Sequence, residues 1–318
     1  MSGTLVLGGT GFLGAHVAAV AHRLAFPLAT MAEPQGPPVY AIGRDPDDAP
    51  RFCDPREGIV WIKADLLTEG RFQRLTETCD PDFVINAAAL SSVAACEADP
   101  ELAKRMNTDL AREVAKTCAA NNLRLVHVST DQVFGETAPP ESGFTEDAPT
   151  APVSVYGRTK ADGEQAVLEE DPAALVVRLP LLYGNSGGRG RGASDALLEG
   201  LHREERPTLF VDEWRTPLEV STAAEALVEL AQELPEVSGL LHVAGPDRIS
   251  RFDLAVAILR AMGLDADAAR AELDAASCTE YDGPAPRAAD VALDAMRARK
   301  VLETALLGIG DGAKRAMT

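Results

Sequence analysis

The chain is poor in lysine, in aromatic residues and in long apolar runs. Only six of its 30 basic residues are lysines, and Phe, Trp and Tyr together make up 5%. No stretch of about 18 apolar residues occurs, which argues against a membrane-spanning helix. The opening residues, MSGTLVLGGTGFLG, lack the basic segment of a secretory signal, and their glycines fit a turn better. Cys53, Cys79, Cys96, Cys118 and Cys278 are odd in number and scattered, with no C-x-x-C pair. Such spacing argues against a disulfide framework or a metal site and for a reducing compartment. A cytoplasmic protein without a structural metal is expected. Positive charge is scarce as well, since 49 acidic residues against 30 basic ones leave a net charge of −19. A surface of that sign repels nucleic acid and anionic membranes.

What is present is a regular alternation. TLVL (4–7), VYAI (39–42), VWIK (60–63), FVIN (83–86), LRLVHVS (123–129) and LVVRL (175–179) are short β-branched or Leu-rich runs. Between several of them lie amphipathic stretches such as residues 12–25 and 101–122. Strands alternating with helices predict an α/β fold of Rossmann type, a doubly wound parallel sheet, because parallel neighbours need a crossover. Residues 25–38 carry three prolines close to their end and read as an inserted loop. After about residue 178 the texture changes. Residues 185–195 are Gly-rich, and capping boxes at Thr222 with Glu225 and at Ser250 with Asp253 predict two helix starts. Residues 282–294 are a Pro-punctuated return. The expected division is a dinucleotide-binding domain over 1–178 and a smaller mixed α/β substrate lobe over 179–318. Some chain is expected to return to the sheet around 205–235.

The string GGTGFLG places Gly8, Gly11 and Gly14 between a strand and a helix. Backbone N–H groups and the helix dipole there can receive a pyrophosphate. Gly8 permits the tight turn and Gly11 the approach of phosphate, with Phe12 and Leu13 opening the helix beside it. At the end of the second strand Arg44 could pair with a 2′-phosphate, whereas Asp45 would repel it. NADP(H) is preferred on that basis and NAD(H) stays open. Asp65 and Leu66 follow the third strand, where a carboxylate can accept from an adenine amino group. Ala87, Ala88 and Ala89 follow the fourth, and their small side chains let a cofactor lie close to the backbone.

Tyr156 and Lys160 are four residues apart, so on a helix they share one face. A phenol of ordinary pKa near 10 is a poor acid at neutral pH, and a neighbouring ammonium favours its ionised form. The motif is weak alone. Its context strengthens it, because VHVSTDQVFG (126–135) brings Ser129 and Thr130 to the carboxyl edge of the sheet, where ligands bind in open α/β folds.

The chain resembles the extended short-chain dehydrogenase/reductases over most of its length, and within them the dTDP-4-dehydrorhamnose reductase subgroup. The resemblance is carried by GGTGFLG, NAAA, VSTDQVFG, YGRTK and RLPLLYG, with support from DEWRTPLEV and LHVAGPDRISRFDLA. It implies Thr130, Tyr156 and Lys160 as the catalytic set and Leu179 and Pro180 beside the nicotinamide. Ser91, Gln132 and Arg215 would face the substrate, and Arg251 is a further candidate. Three departures stand out. Gln132 replaces the Tyr that follows Thr-Asp in the subgroup, Leu181 stands where its Trp would be, and a basic residue after the fourth strand is absent from SSVAACE. The dehydratases of the superfamily carry Thr-Asp-Glu, and Gln132 cannot replace that carboxylate.

The resemblance implies an NAD(P)H-dependent reductase of a nucleotide-linked 4-keto-6-deoxy sugar, possible as a homodimer. A nucleotide-sugar 4-epimerase is the alternative enzyme. A non-catalytic cofactor-binding subunit like the β subunit of methionine adenosyltransferase is the alternative of another class.

Overall fold

The first-half runs become strands β1 (Gly3–Leu7), β2 (Val39–Gly43), β3 (Ile59–Lys63), β4 (Pro81–Asn86), β5 (Arg124–Thr130) and β6 (Leu175–Leu179). The second half adds β7 (Leu182–Tyr183), β8 (Thr208–Phe210), β9 (Trp214–Arg215), β10 (Leu218–Glu219), β11 (Gly239–His242), β12 (Ile249–Ser250) and β13 (Asp274–Ala276). The computed structural model describes residues 3–25, 36–45, 58–187, 192–283 and 285–317. Cys53, most of the expected loop at 25–38 and the middle of the Gly-rich stretch lie outside these residues.

β11 joins β1 to β6 in a seven-stranded sheet of order β11-β6-β5-β4-β1-β2-β3. Every pairing in it is parallel. The crossovers run through α1 (Phe12–Ala25), α2 (Arg71–Cys79), α3 (Val93–Ala98), α4 (Pro100–Lys104), α5 (Leu110–Asn121) and α6 (Val155–Glu170). The second half of the chain carries α7 (Ala193–His202), α8 (Val220–Gln232), which lies between β6 and β11 of the sheet, α9 (Arg251–Ala261), α10 (Ala266–Ala271), α11 (Ala298–Val301) and α12 (Ile309–Ala316). One apolar layer joins the sheet to α1 and α8 through Val17, Ala21, Ala223, Leu227 and Leu230. The opposite layer uses Phe72, Leu75, Val114, Cys118 and Val167. β1 and β6 are buried along their whole length and read as near-continuous apolar runs without polar alternation, interrupted only by Thr4 and by Arg178, which is paired with Glu164. Because β2 and β4 flank β1, the direction of winding reverses there and leaves a crevice at the carboxyl ends.

The structure departs from the sequence reading in three places. The amphipathic run 101–122 is broken by a π turn at Arg105–Asp109. The helix expected to start at Thr222 starts at Val220, where Glu219 is the cap and accepts from the amides of Ser221 and Thr222, each at 2.8 Å. A carboxylate suits a helix N-terminus through both hydrogen bonding and the dipole, and here it outcompetes the threonine. β11 was not among the expected strands, because GLLH is too short to stand out. The Ser250 cap holds: its hydroxyl accepts from the Asp253 amide at 3.0 Å.

The lobe packs Tyr183, Leu197, Phe252, Leu254, Ile258, Leu259 and Ala313 into a core of its own. Among the described residues no helix is long and apolar enough to cross a membrane.

Candidate active site

The turn after β1 is built as its spacing requires. Gly8 has φ 75°, in the left-handed region that favours glycine. The Gly9 amide is held by the carbonyl of Ile42 at 2.8 Å. A Cβ at Gly8 would lie 2.8 Å from the Ala87 carbonyl oxygen, and one at Gly14 would lie 2.2 Å from the Gly8 oxygen. The turn therefore packs directly on the loop after β4, and α1 opens beside it with Phe12 and Leu13 half-buried. Gly8 lies against the backbone of Ala87 and Ala88, and Ala89 follows them half-buried on the same loop. Arg44 and Asp45 lie exposed at the end of β2. Asp65 is exposed and accepts from the Leu67 amide at 3.0 Å, while Leu66 is buried. Leu179 ends β6 beside Thr130 at the end of β5, and Pro180 follows it; both are buried. A bare backbone cradle at a helix start, with small residues opposite, fits a dinucleotide.

Tyr156 and Lys160 lie in the first half of α6, which Ser154 caps through the Gly157 amide at 3.0 Å. Burial pushes the Tyr156 phenol well above its ordinary value, and the Thr130 hydroxyl beside it pulls the other way. Asp131 and Cys96 add to the upward push. The expectation that Lys160 lowers the phenol is not met in this arrangement. Desolvation dominates, and the Lys160 Nζ donates to the Val128 carbonyl at 2.7 Å instead. Burial lowers Lys160 itself to about 8, against the pull of Glu164 one turn on. Thr130 donates to Asp131 Oδ1 at 3.1 Å and accepts from the Gln132 amide at 3.2 Å.

Facing this group from the lobe is a charge cluster. Arg215, buried, lies 3.8 Å from Asp131 Oδ2 and 3.1 Å from Glu213. It also donates to the carbonyls of Trp214 at 2.6 Å and Ala288 at 3.0 Å. Arg287 pairs with the other Glu213 oxygen at 2.7 Å. Burial lifts the Asp131 carboxyl to about 6, opposed by Arg215 and the Thr130 hydrogen bond. Burial likewise lowers Arg251, which Glu213 counters. Arg215 is thus largely committed to the protein, and the half-buried Arg251 is the less committed guanidinium. It borders an apolar cavity of about 220 Å³ lined by Leu197, Pro207, Leu209, Leu254 and Ile258. Gln132 is half-buried beside the site, and Ser91 is exposed on the loop after β4.

Sequence reasoning missed several groups that the fold places here. Asp131 sits inside the quoted string VSTDQVFG, yet only its burial marks it. Glu213, Arg287 and Glu164 carry no local signal. Asn107 lies in the π turn, where its side chain bonds Leu90 on both sides (2.9 and 3.2 Å) and Thr159 at 3.1 Å. The π turn thereby ties α6 to the loop after β4, a recurrent use of such irregularities.

The sequence model of the RmlD substrate binding domain family matches residues 1–314. The chain belongs to that family. Among curated relatives it is 33% identical over 235 residues to dTDP-4-dehydrorhamnose reductase of Mycolicibacterium smegmatis, covering 74% of this chain and 69% of that one. It is 32% identical over 236 residues to the probable low-salt glycan biosynthesis reductase Agl14 of Haloferax volcanii, covering 73% and 75%. It is also 29% identical to methionine adenosyltransferase 2 subunit beta of Xenopus laevis, covering 74% and 70%. In three dimensions it superposes on the dTDP-4-dehydrorhamnose reductase of Bacillus anthracis in complex with NADP, with a TM-score of 0.79 at 21% identity. That match covers 100% of this chain and 99% of the other. The two chains therefore share one fold over their whole length.

Proposed function

We propose that this RmlD-family chain is an NAD(P)H-dependent reductase of a nucleotide-linked 4-keto-6-deoxy sugar. The observation that carries the reading is the meeting of Thr130, Tyr156 and Lys160 at the carboxyl edge of the sheet, beside the Gly8–Gly14 cradle. The reductase relatives in Mycolicibacterium and Haloferax support it. Gly8, Gly11, Ala87 and Ala88 would hold the dinucleotide, and its reduced nicotinamide supplies hydride to the sugar carbonyl carbon. Tyr156 gives its proton to the carbonyl oxygen as charge develops there, and the Thr130 hydroxyl donates to the same oxygen. Lys160, one helical turn from Tyr156, would hold the ribose. Arg251 and the apolar cavity beside it orient the nucleotide diphosphate, so the ketone is held against the cofactor. Arg44 favours NADPH over NADH through charge-assisted hydrogen bonds to the 2′-phosphate.

The test is turnover of a dTDP-4-keto-6-deoxy sugar with each cofactor, with Tyr156→Phe as the control. That substitution should keep NADPH affinity and lower turnover by at least about 10²-fold. A Tyr156→Phe protein as active as the wild type sinks the mechanism. The similarity to the methionine adenosyltransferase subunit favours a second reading, a cofactor-binding subunit without turnover. Tight NADPH binding with no reduction across a panel of keto sugars would select it.

A further inference from the structure

Beneath Lys160 lies a buried polar chain that the reductase mechanism does not use. The Ala88 amide donates to Asn86 Oδ1 at 3.2 Å, which fixes the orientation of the Asn86 amide. With that oxygen occupied, Asn86 presents its Nδ2 to His127 Nδ1 at 3.1 Å. An amide nitrogen can only donate, so His127 Nδ1 must accept, and a neutral ring then carries its hydrogen on Nε2. His127 is 1% exposed and held neutral, its pKa driven well below the usual value by burial and by Lys160. Its Nε2 points at Lys160 Nζ, 3.4 Å away.

Two donors would oppose each other there if Lys160 were an ammonium. If it is an amine, the Nε2–H has a lone pair to meet, and one remaining Nζ–H still serves the Val128 carbonyl at 2.7 Å. Flipping Asn86 does not relieve the conflict, because its Nδ2 would then face the Ala88 amide. The ionisable neighbours of Lys160 are Tyr156 and Glu164 on α6 and His127 on β5. Glu164 favours the ammonium, but its oxygens are already engaged by Ser129 and Arg178. The other charged pairs of α6, Arg112 with Glu169 and Glu170, sit at its far end.

We propose that His127, fixed as its Nε2–H tautomer by Asn86, is a positioning residue that disfavours the ammonium of Lys160, so that this lysine gives up its proton more readily than an ordinary one. This rests on the reductase reading for its purpose, since a lysine poised near neutrality can change charge as Tyr156 loses and regains its proton. It rests on geometry alone for its existence.

The chain has only six lysines, so the test is NMR titration of the whole protein labelled at lysine Cε and Nζ. The Lys160 signal is identified by its loss in Lys160→Met. In the wild type its midpoint should fall near 8, as burial implies. His127→Gln offers a carbonyl oxygen in place of the ring N–H and should raise the midpoint by at least about one pH unit. Asn86→Asp keeps the Ala88 bond, accepts from Nδ1–H and so turns Nε2 into an acceptor, and it should raise the midpoint too. An unchanged midpoint in both folded variants overturns the proposal, as does an ordinary midpoint near 10.4 in the wild type. The titration needs no turnover, so it stands or falls separately from the reductase reading. Where reduction is measured, the alkaline limb of its pH profile should move upward with Lys160 in His127→Gln.

Discussion

Glu164→Gln removes one charge from a fully enclosed pair, and the geometry sets the size of the effect. Glu164 Oε1 accepts from Ser129 Oγ at 2.5 Å and Arg178 Nε at 2.9 Å, while Oε2 accepts from Arg178 Nη2 at 2.7 Å. The two side chains are 2% and 5% exposed, so solvent screens neither. Without the carboxylate, the guanidinium of Arg178 keeps only the His242 ring nitrogen at 3.3 Å and the face of Phe134 at 5.1 Å. His242 stays neutral, since burial and Arg178 lower it to about 3, so it accepts a hydrogen bond but offers no opposite charge. Breaking a buried pair from one side typically costs about 3–5 kcal/mol. Glutamine retains one acceptor for Arg178, which places the expected loss near the lower end, about 3 kcal/mol. For a chain of this size that corresponds to a melting temperature lower by roughly 4–5 °C. Replacing both partners, as in Glu164→Leu with Arg178→Met, removes the orphaned charge and should recover most of the loss. Denaturant unfolding of the two single variants and the double variant measures the coupling. A Glu164→Gln protein within about 0.5 kcal/mol of wild type, or a double variant no better than either single, refutes the reasoning.

Gly14 and Asp131 each give a further outcome. Gly14→Ala would set a Cβ 2.2 Å from the Gly8 oxygen, a backbone atom that cannot yield, so NADPH affinity in a fluorescence titration should fall by at least about tenfold; undiminished affinity would show that the turn does not form the cradle. Asp131, raised from 3.8 to about 6 by burial, contributes stability that is complete below its unfolded value and is lost as pH rises through the folded one. Asp131→Asn should therefore match wild type near pH 4 and exceed it by up to about 3 kcal/mol at neutral pH, and unfolding curves that stay parallel across that range would contradict the assignment.

The sequence alone determined the alternation of the first six strands with their helices, the glycine turn after β1 and the shared face of Tyr156 and Lys160. Each of these is local. A strand buried on both faces is apolar except where a polar side chain finds a buried partner, a turn crowded by backbone has to be glycine, and residues four apart on a helix align whatever surrounds them. Membership of the reductase family was legible for the same reason, since its carrying strings are short and contiguous. The tertiary structure decided everything that depends on burial or on partners distant in the chain. Glu219 displaced Thr222 as a cap because it could reach two free amides. The π turn at Arg105–Asp109 formed because Asn107 found Leu90 and Thr159 from other elements. Arg215 was spent on Glu213, Trp214 and Ala288, which left Arg251 at the cavity. The charge states that matter for chemistry belong to this second class. Desolvation in the closed edge of the sheet raised Tyr156 and Asp131 and lowered Lys160, and no spacing of residues along the chain can state how much water a fold excludes.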